Sequence, residues 1–326
     1  MTKEFTDRVF SIGKQEFSPF ALDLFGFQYL HNPVYKAYTD SLHIAPGKVK
    51  TIDRIPFLPV NFFKTHSIKT TSFEPEIIFE SSGTAQTISS KHYVKDISIY
   101  RNNFIKGFER FYGPVSDWCI IGLLPSYLER DHSSLVFMVD ELVKKTNHTQ
   151  SGFYLYDYEQ LFRVLKALEQ QQQKTLLIGV TFALLDFAEK FPMQLNHTVV
   201  METGGMKGRR KEMTRIELHN SLKQGLGLKH VHSEYGMTEL LSQAYSKSDG
   251  LFESVPWMRI LVRNDDDPFE VHEAGEGIIN IIDLSNIYSC SFIATDDLGK
   301  VSADGRFEVF GRTDNSDIRG CSLLLV

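Results

Sequence analysis

Thr175-Leu176-Leu177-Ile178-Gly179-Val180 is an apolar run of strand length. Phe182 to Lys190 follows with helical texture, and Thr198-Val199-Val200-Met201 is a second apolar run. Strands that are apolar at every position, rather than at alternate ones, have both faces covered, which is the habit of parallel sheets packed between helices. Trp118-Cys119-Ile120-Ile121-Gly122-Leu123-Leu124, ended by Pro125, is another such run, and Ile77-Ile78-Phe79-Glu80 reads as a strand too. Helices are expected between them. Asp96 to Tyr112 carries Ile97, Tyr100, Phe104, Phe108 and Phe111 near helical period. Asp131 or Ser133 caps a helix with Leu135, Val136 and Val139, and Tyr158 to Gln173 and Arg210 to Lys223 complete the set. Strands and helices thus alternate from about residue 77 to 242, which predicts an α/β fold with a mainly parallel sheet. Ligands of such sheets sit past the carboxyl ends of the strands, so the segments at Ser81, Gly204 and Tyr235 are expected at one edge.

The flanks differ from this middle. The first 60 residues are rich in aromatics, and Leu22, Phe25 and Tyr29 fall at helical spacing, predicting one or two packed helices. Ile55-Pro56-Phe57-Leu58-Pro59-Val60 reads as an extended segment leading into a short helix near Asn61 to Thr65. Beyond residue 250, short strands at Arg259-Val262, Gly277-Ile282 and Phe307-Phe310 alternate with turns such as Ala303-Asp304-Gly305. The expected division is residues 1–250 as an α/β core and 251–326 as a β-rich, antiparallel, barrel-like subdomain.

Bulk properties exclude several classes. A charged content of 23% and a hydrophobic content of 42% are those of a globular chain. A net charge of -6 argues against a nucleic-acid binder, which needs a basic face. No apolar stretch has the length of a signal peptide or a membrane span, and only Cys119, Cys290 and Cys321 are present, so a cytoplasmic protein without a disulfide framework is expected.

His232-Ser233-Glu234-Tyr235-Gly236-Met237-Thr238-Glu239 concentrates the chemistry. Tyr235 suits a nucleobase, Gly236 a close backbone approach, Thr238 a phosphate oxygen, and Glu239 the Mg²⁺ that accompanies a triphosphate. The plain alternative is a strand end followed by a helix that Thr238 and Glu239 help to start. Upstream, Ser81-Ser82-Gly83-Thr84 follows a strand with hydroxyls and a glycine, a composition that wraps phosphates and is also that of an ordinary solvated loop. Downstream, Thr295-Asp296-Asp297 and Gly311-Arg312-Thr313-Asp314 offer a carboxylate and a guanidinium suited to ribose or phosphate. A lone histidine near a strand end, such as His132 or His232, is more often structural, His232 reads as pocket-lining rather than catalytic, and no cysteine–histidine cluster has zinc spacing.

In this order the motifs resemble those of the ANL superfamily of adenylate-forming enzymes. Three further stretches, Pro56 to Lys64, Leu124 to Arg130 and Glu202 to Gly208, are similar to acyl-protein synthetases of the bacterial bioluminescence (LuxE-like) type. The resemblance implies an ANL-type N-terminal domain without the usual C-terminal domain. It implies ATP- and Mg²⁺-dependent activation of a fatty or other carboxylic acid to acyl-AMP, then acyl transfer to a protein thiol. Residue by residue, Ser81, Ser82, Gly83 and Thr84 fall to the β- and γ-phosphates, Thr238 to the α-phosphate and Glu239 to Mg²⁺. Gly204, Gly205 and Tyr235 fall around adenine, Gly236 allows the close backbone approach to the nucleotide, and Asp297, with Asp296 competing, and Arg312 fall on the ribose. The loop departs from the pattern at Ala85-Gln86, where Thr-Gly is usual. Cys321 is the only cysteine placed to carry the acyl group in the manner of the family, and a reductase or another protein thiol would be the next acceptor. Cys119 and Cys290 read as core thiols. The competing readings are a noncatalytic adenylate- or acyl-binding subunit and an aryl- or acyl-CoA-ligase-like enzyme.

Overall fold

The computed structural model describes residues 2–81, 88–124, 132–155, 157–204 and 213–313. In chain order the elements begin with α1 (Thr2–Arg8), α2 (Phe17–His31), α3 (Pro33–Ser41), β1 (Leu58–Pro59), α4 (Phe62–Thr65), β2 (Ile77–Glu80), β3 (Lys91–Val94) and α5 (Ile97–Tyr112). Then come β4 (Cys119–Leu123), α6 (Ser134–Thr146), β5 (Gly152–Phe153), α7 (Tyr158–Gln170), β6 (Thr175–Gly179), α8 (Thr181–Lys190), β7 (Thr198–Glu202), α9 (Arg215–Leu226) and β8 (His232–Tyr235). Seven more strands follow: β9 (Ala244–Ser246), β10 (Phe252–Ser254), β11 (Met258–Arg263), β12 (Val271–His272), β13 (Gly275–Asp283), β14 (Phe292–Val301) and β15 (Phe307–Arg312).

The chain forms two compact units, each assembled from separate stretches. One takes residues 105–235 and 244–252 and is built on the parallel strands. Its order is β5-β4-β6-β7-β8, all parallel, with β9 antiparallel to β8. β4 and β6 are buried at every residue, as their unbroken apolar sequence requires. The spacing is tight: a Cβ at Gly179 would stand 2.9 Å from Leu123 Cβ, so the end of β6 accepts only glycine without a shift. Helix ends are chemically fixed, with Ser133 and Asp157 capping α6 and α7 and a Thr214–Glu217 capping box opening α9. Cys119 lies in this core, its thiol pushed up to about 11 by burial.

The other unit takes residues 2–104, 236–243 and 253–313. Its main sheet runs β12-β11-β13-β14-β15 with antiparallel pairing throughout. β1 lies parallel to the first residues of β14, so the proline-flanked Leu58-Pro59 becomes a short edge strand. The Asp304-Gly305 turn closes the β14–β15 hairpin, with Gly305 at φ 88°. Cys290 is buried here and its thiol is pushed up to about 12.

Two expectations change. β2 pairs with β3 as a separate antiparallel hairpin, so the strand before Ser81 is not part of the parallel sheet. In α2 the buried face is Phe17, Phe20, Ala21, Leu24, Phe25, Phe27 and Gln28, while Leu22 and Tyr29 are only half-buried. The helix is as expected, but its packed face is wider and rotated. Gln28 shows why: its amide donates to the carbonyls of Asn286 and Ile287 at 3.0 Å and accepts from the Ser291 amide at 2.9 Å. The aromatic helix therefore anchors the loop between β13 and β14.

Candidate active site

After β8 the chain does not enter a helix. Residues 236–243 are irregular, which removes the helix-cap reading of Thr238 and Glu239. Side chains from elsewhere in the same unit hold this backbone instead. The Thr238 carbonyl accepts from His92 Nδ1 at 2.8 Å, and the Glu239 carbonyl accepts from Asn286 Nδ2 at 2.8 Å. The Leu241 and Ser242 amides donate to Asp283 Oδ2 at 2.8 and 2.9 Å. Asp283 Oδ1 accepts from the Ser242 and Ser285 hydroxyls, each at 2.6 Å, and Asn103 Nδ2 donates to both of those hydroxyls. Trp257 Nε1 closes the network on Asn103 Oδ1 at 3.0 Å. A buried carboxylate satisfied in this way needs no counter-ion. Glu239 is buried, while Gly236, Met237 and Thr238 remain partly exposed.

Asp297 lies inside β14 rather than in a loop, and its register partner on β15 is Arg312. Arg312 Nε stands 3.2 Å from Asp297 Oδ1, with side-chain exposures of 8% and 6%. A bulge between Leu298 and Gly299 separates this pair from the regular ladder below. Asp296 faces the other side of the strand and lines a different cleft with Arg263, Phe57 and Ala294. Alternation along β14 thus separates the two candidate ribose carboxylates and leaves Asp297 as the one joined to Arg312.

Ser81 closes the mouth of the β2–β3 hairpin: its amide donates to the Ser90 carbonyl at 3.1 Å, and its hydroxyl accepts from the Ser90 amide at 2.9 Å. Ser82, Gly83, Thr84, Gly205 and Cys321 lie outside the described residues. Ser81, Gly236, Thr238, Glu239, Asp297 and Arg312 all belong to this unit.

Gly204 and Tyr235 belong to the other unit, at the carboxyl ends of the adjacent parallel strands β7 and β8. Gly204 takes φ 73°, a conformation that favours glycine, and its amide donates to Glu202 Oε2 at 2.7 Å. Its carbonyl accepts from the Thr181 amide at 3.3 Å, tying the turn to the start of α8. The Tyr235 ring is buried edge-on to Phe252, with centroids 6.0 Å apart. Burial alone would raise the Glu202 carboxyl, but the His219 ring 3.8 Å away, the Arg215 charge and the Ser233 hydroxyl together pull it below the usual range. Glu234 goes the other way, pushed up to about 8 by burial and by the Glu202 charge. Burial also lowers His232 to about 4, so it is a neutral ring at pH 7, 3.1 Å from the Tyr112 hydroxyl.

His92, Asp283, Asn286 and Glu202, which bond the backbone of the candidate segments, are residues that motif reasoning passed over. The available signal was polar residues at strand ends: Asp283-Leu284-Ser285-Asn286 after an apolar run, and Glu202 after another.

The fold has relatives among solved structures. One is a 2-hydroxyisobutyryl-CoA ligase in the postadenylation state with 2-HIB-AMP, at 13% identity and TM-score 0.61, covering 92% of this chain and 69% of that one. ATP-bound MatB from Rhodopseudomonas palustris matches at 15% and 0.52, covering 74% of this chain and 50% of its own. MenE from Bacillus subtilis, with ATP and magnesium, matches at 16% and 0.50, covering 74% and 51%. At such identities the likeness is one of fold, that of the N-terminal part of adenylate-forming enzymes. The chain spans about half the length of the MatB structure. No curated protein matches it. The family model of acyl-protein synthetases, LuxE, matches residues 10–326, and the chain belongs to that family.

Proposed function

We propose that this protein uses ATP to activate a carboxylic acid, a fatty acid in the first instance, and passes the acyl group to a protein thiol. The observation that carries the reading is the segment Gly236 to Gln243. It is a non-helical backbone held by three remote side chains, with a buried carboxylate at Glu239 beside a partly exposed Thr238. Family membership and the Asp297–Arg312 pair in the same unit support it.

In the first half-reaction a carboxylate oxygen of the acid attacks the α-phosphorus of ATP, the bond to the β-phosphate oxygen breaks, and pyrophosphate leaves. The work of the protein is positioning and charge placement. Thr238 holds the α-phosphate, Ser81 to Thr84 the departing phosphates, Asp297 and Arg312 the ribose, and Gly204, Gly205, Tyr235 and Gly236 the adenine side. Mg²⁺ fits this donor set: it takes one or two protein carboxylates and fills its remaining positions with phosphate oxygens and water. Glu239 supplies one buried carboxylate, and no group of three or more metal-ligating side chains occurs among the described residues. When bound, the ion neutralises charge on the phosphates. In the second half-reaction the Cys321 thiolate attacks the acyl carbonyl, AMP leaves with the bonding electrons, and a thioester results. A thiol of a partner protein, such as a reductase, would receive the acyl group next.

An ATP–pyrophosphate exchange assay over a panel of fatty and aryl acids tests this. Glu239→Gln should lower exchange by about 100-fold or more. Cys321→Ser should leave exchange intact and abolish covalent acyl labelling. Labelling that persists in Cys321→Ser would remove that thiol from the pathway. ATP binding without exchange for any acid would mark a noncatalytic nucleotide-binding subunit.

A further inference from the structure

The hairpin that leads into and out of the Ser81 loop is a firm platform. β2 and β3 pair over Ile77–Glu80 and Lys91–Val94, and the bonds between Ser81 and Ser90 close its mouth. One residue of this platform reaches the central motif. His92, opposite Phe79 on β3, is 1% exposed, and its Nδ1 stands 2.8 Å from the Thr238 carbonyl oxygen. A carbonyl only accepts, so Nδ1 carries the hydrogen. The Phe63 ring meets the imidazole edge-on at 6.1 Å and fixes its plane. Burial is the largest influence on the ring and lowers its pKa, against the Thr238 carbonyl, the Asn286 side chain and the nearby Glu239 and Asp283 carboxylates.

Thr238 and Glu239 need such a contact because neither helix nor strand fixes their backbone. The bond from His92 ties the backbone of Thr238, and with it Glu239, to the β2–β3 hairpin. We propose that His92 is a positioning residue for adenyl transfer, holding the Thr238-Glu239 pair in register with the β2–β3 hairpin through the Thr238 carbonyl. The proposal rests on the reading of this site as an adenylation centre. His92 touches no reacting atom. Its effect belongs in kcat, because in-line displacement requires the α-phosphate and the departing pyrophosphate to be held in one geometry, and a misplacement of about 1 Å can cost about 100-fold.

The test is ATP–pyrophosphate exchange in the full chain, wild type against His92→Asn and His92→Gln, with kcat and the KM for ATP measured separately and thermal melts recorded. Asparagine puts an amide donor close to the position of Nδ1, whereas glutamine puts it one methylene further out. His92→Gln should lower kcat by about 10- to 100-fold with the KM for ATP changed by less than about threefold. His92→Asn should keep kcat within about threefold of wild type. A wild-type kcat in His92→Gln, an equal loss in both variants, or an effect confined to KM would overturn the proposal. Should His92→Gln fail to fold, His92→Asn decides alone: kcat within about threefold of wild type supports the proposal, and a larger loss overturns it. Wild-type protein that exchanges with no acid would sink the adenylation reading itself, a result obtained before either variant is read.

Discussion

Each unit buries a carboxylate beside candidate site residues, and the two are held by opposite means. Asp283 faces only uncharged donors: the amides of Leu241, Ser242 and Ser285 and the hydroxyls of Ser242 and Ser285. Among the described residues Glu202 accepts the Gly204 amide and lies by the Ser233 hydroxyl, but its main neighbours carry or can gain charge: His219, Arg215 and a second carboxyl at Glu234. Asp283 is thus a backbone fastener, since it accepts the main-chain amides of Leu241, Ser242 and Ser285. Glu202 is one member of an ionisable cluster at the end of a parallel sheet. Fixed dipoles give placement, and coupled charges add a dependence on pH.

The sharpest way to break this contrast is Asp283→Ala. It leaves the amides of Leu241, Ser242 and Ser285 buried without an acceptor, at about 1–3 kcal/mol for each group and less than additively. A loss of about 3–5 kcal/mol in urea unfolding is expected. Hydrogen exchange should localise it, with the Leu241 and Ser242 amides losing protection first. Unchanged protection at those two amides would show that Asp283 is not the fastener.

Glu202→Gln removes charge while keeping an oxygen for the Gly204 amide, so a smaller cost of about 1–3 kcal/mol is expected at pH 7. Because the folded carboxyl lies below its usual range, its contribution is fully present above the unfolded pKa and is lost as pH falls through the folded one. The difference between wild type and Glu202→Gln should therefore shrink on acidification below about pH 4.5, the ordinary carboxyl value. A constant difference down to acid would mean that the cluster acts through shape alone.

These contrasts also explain what the sequence made legible. The parallel sheet could be read because its strands are apolar at every position: Cys119–Leu123 and Thr175–Gly179 are buried throughout, and the helix between β6 and β7 falls where its periodicity puts it. Ile77–Glu80 looks the same over four residues, but its partner alternates, with Lys91 exposed, His92 buried and Val94 buried. That alternation was the mark of an antiparallel hairpin. The irregular path after Tyr235 was hidden for a different reason. Leu240 and Leu241 look like the start of a buried helix, yet their stretch of backbone finds its partners in Asp283 and Asn286, more than 40 residues away. Tertiary partners, an acceptor at Asp283 and a donor at Asn286, replaced the helix, and no local pattern announces them. Of the candidate site, Asp297 and Arg312 could each be singled out from their motifs, but their pairing across β14 and β15 could not. The residues that hold the candidate segments were not legible, because placing a carbonyl or an amide leaves no motif.

The smallest expected effect falls on Glu234. Its folded carboxyl is pushed up to about 8, from an ordinary value of 4.5, by burial and the Glu202 charge. The sign is opposite to that of Glu202. Between these two values the unfolded chain has released the proton and the folded chain still holds it, so the stability it contributes is complete below about pH 4.5 and is lost as pH rises through about 8. Glu234→Gln mimics the protonated acid at all pH values. It should leave the melting temperature near wild type at pH 5 and raise it by a few degrees at pH 8, about 1 kcal/mol or more of stability. The double variant with Glu202→Gln separates the two causes. If the Glu202 charge is the main source of the shift, removing it should abolish most of the benefit of Glu234→Gln at pH 8; if burial dominates, the benefit should persist. Burial is the larger influence on this carboxyl, so the persistent benefit is the expected result. A Glu234→Gln melt that tracks wild type from pH 5 to pH 8 would show that the carboxyl ionises normally in the folded protein, so that Glu202 and Glu234 both carry charge at neutral pH.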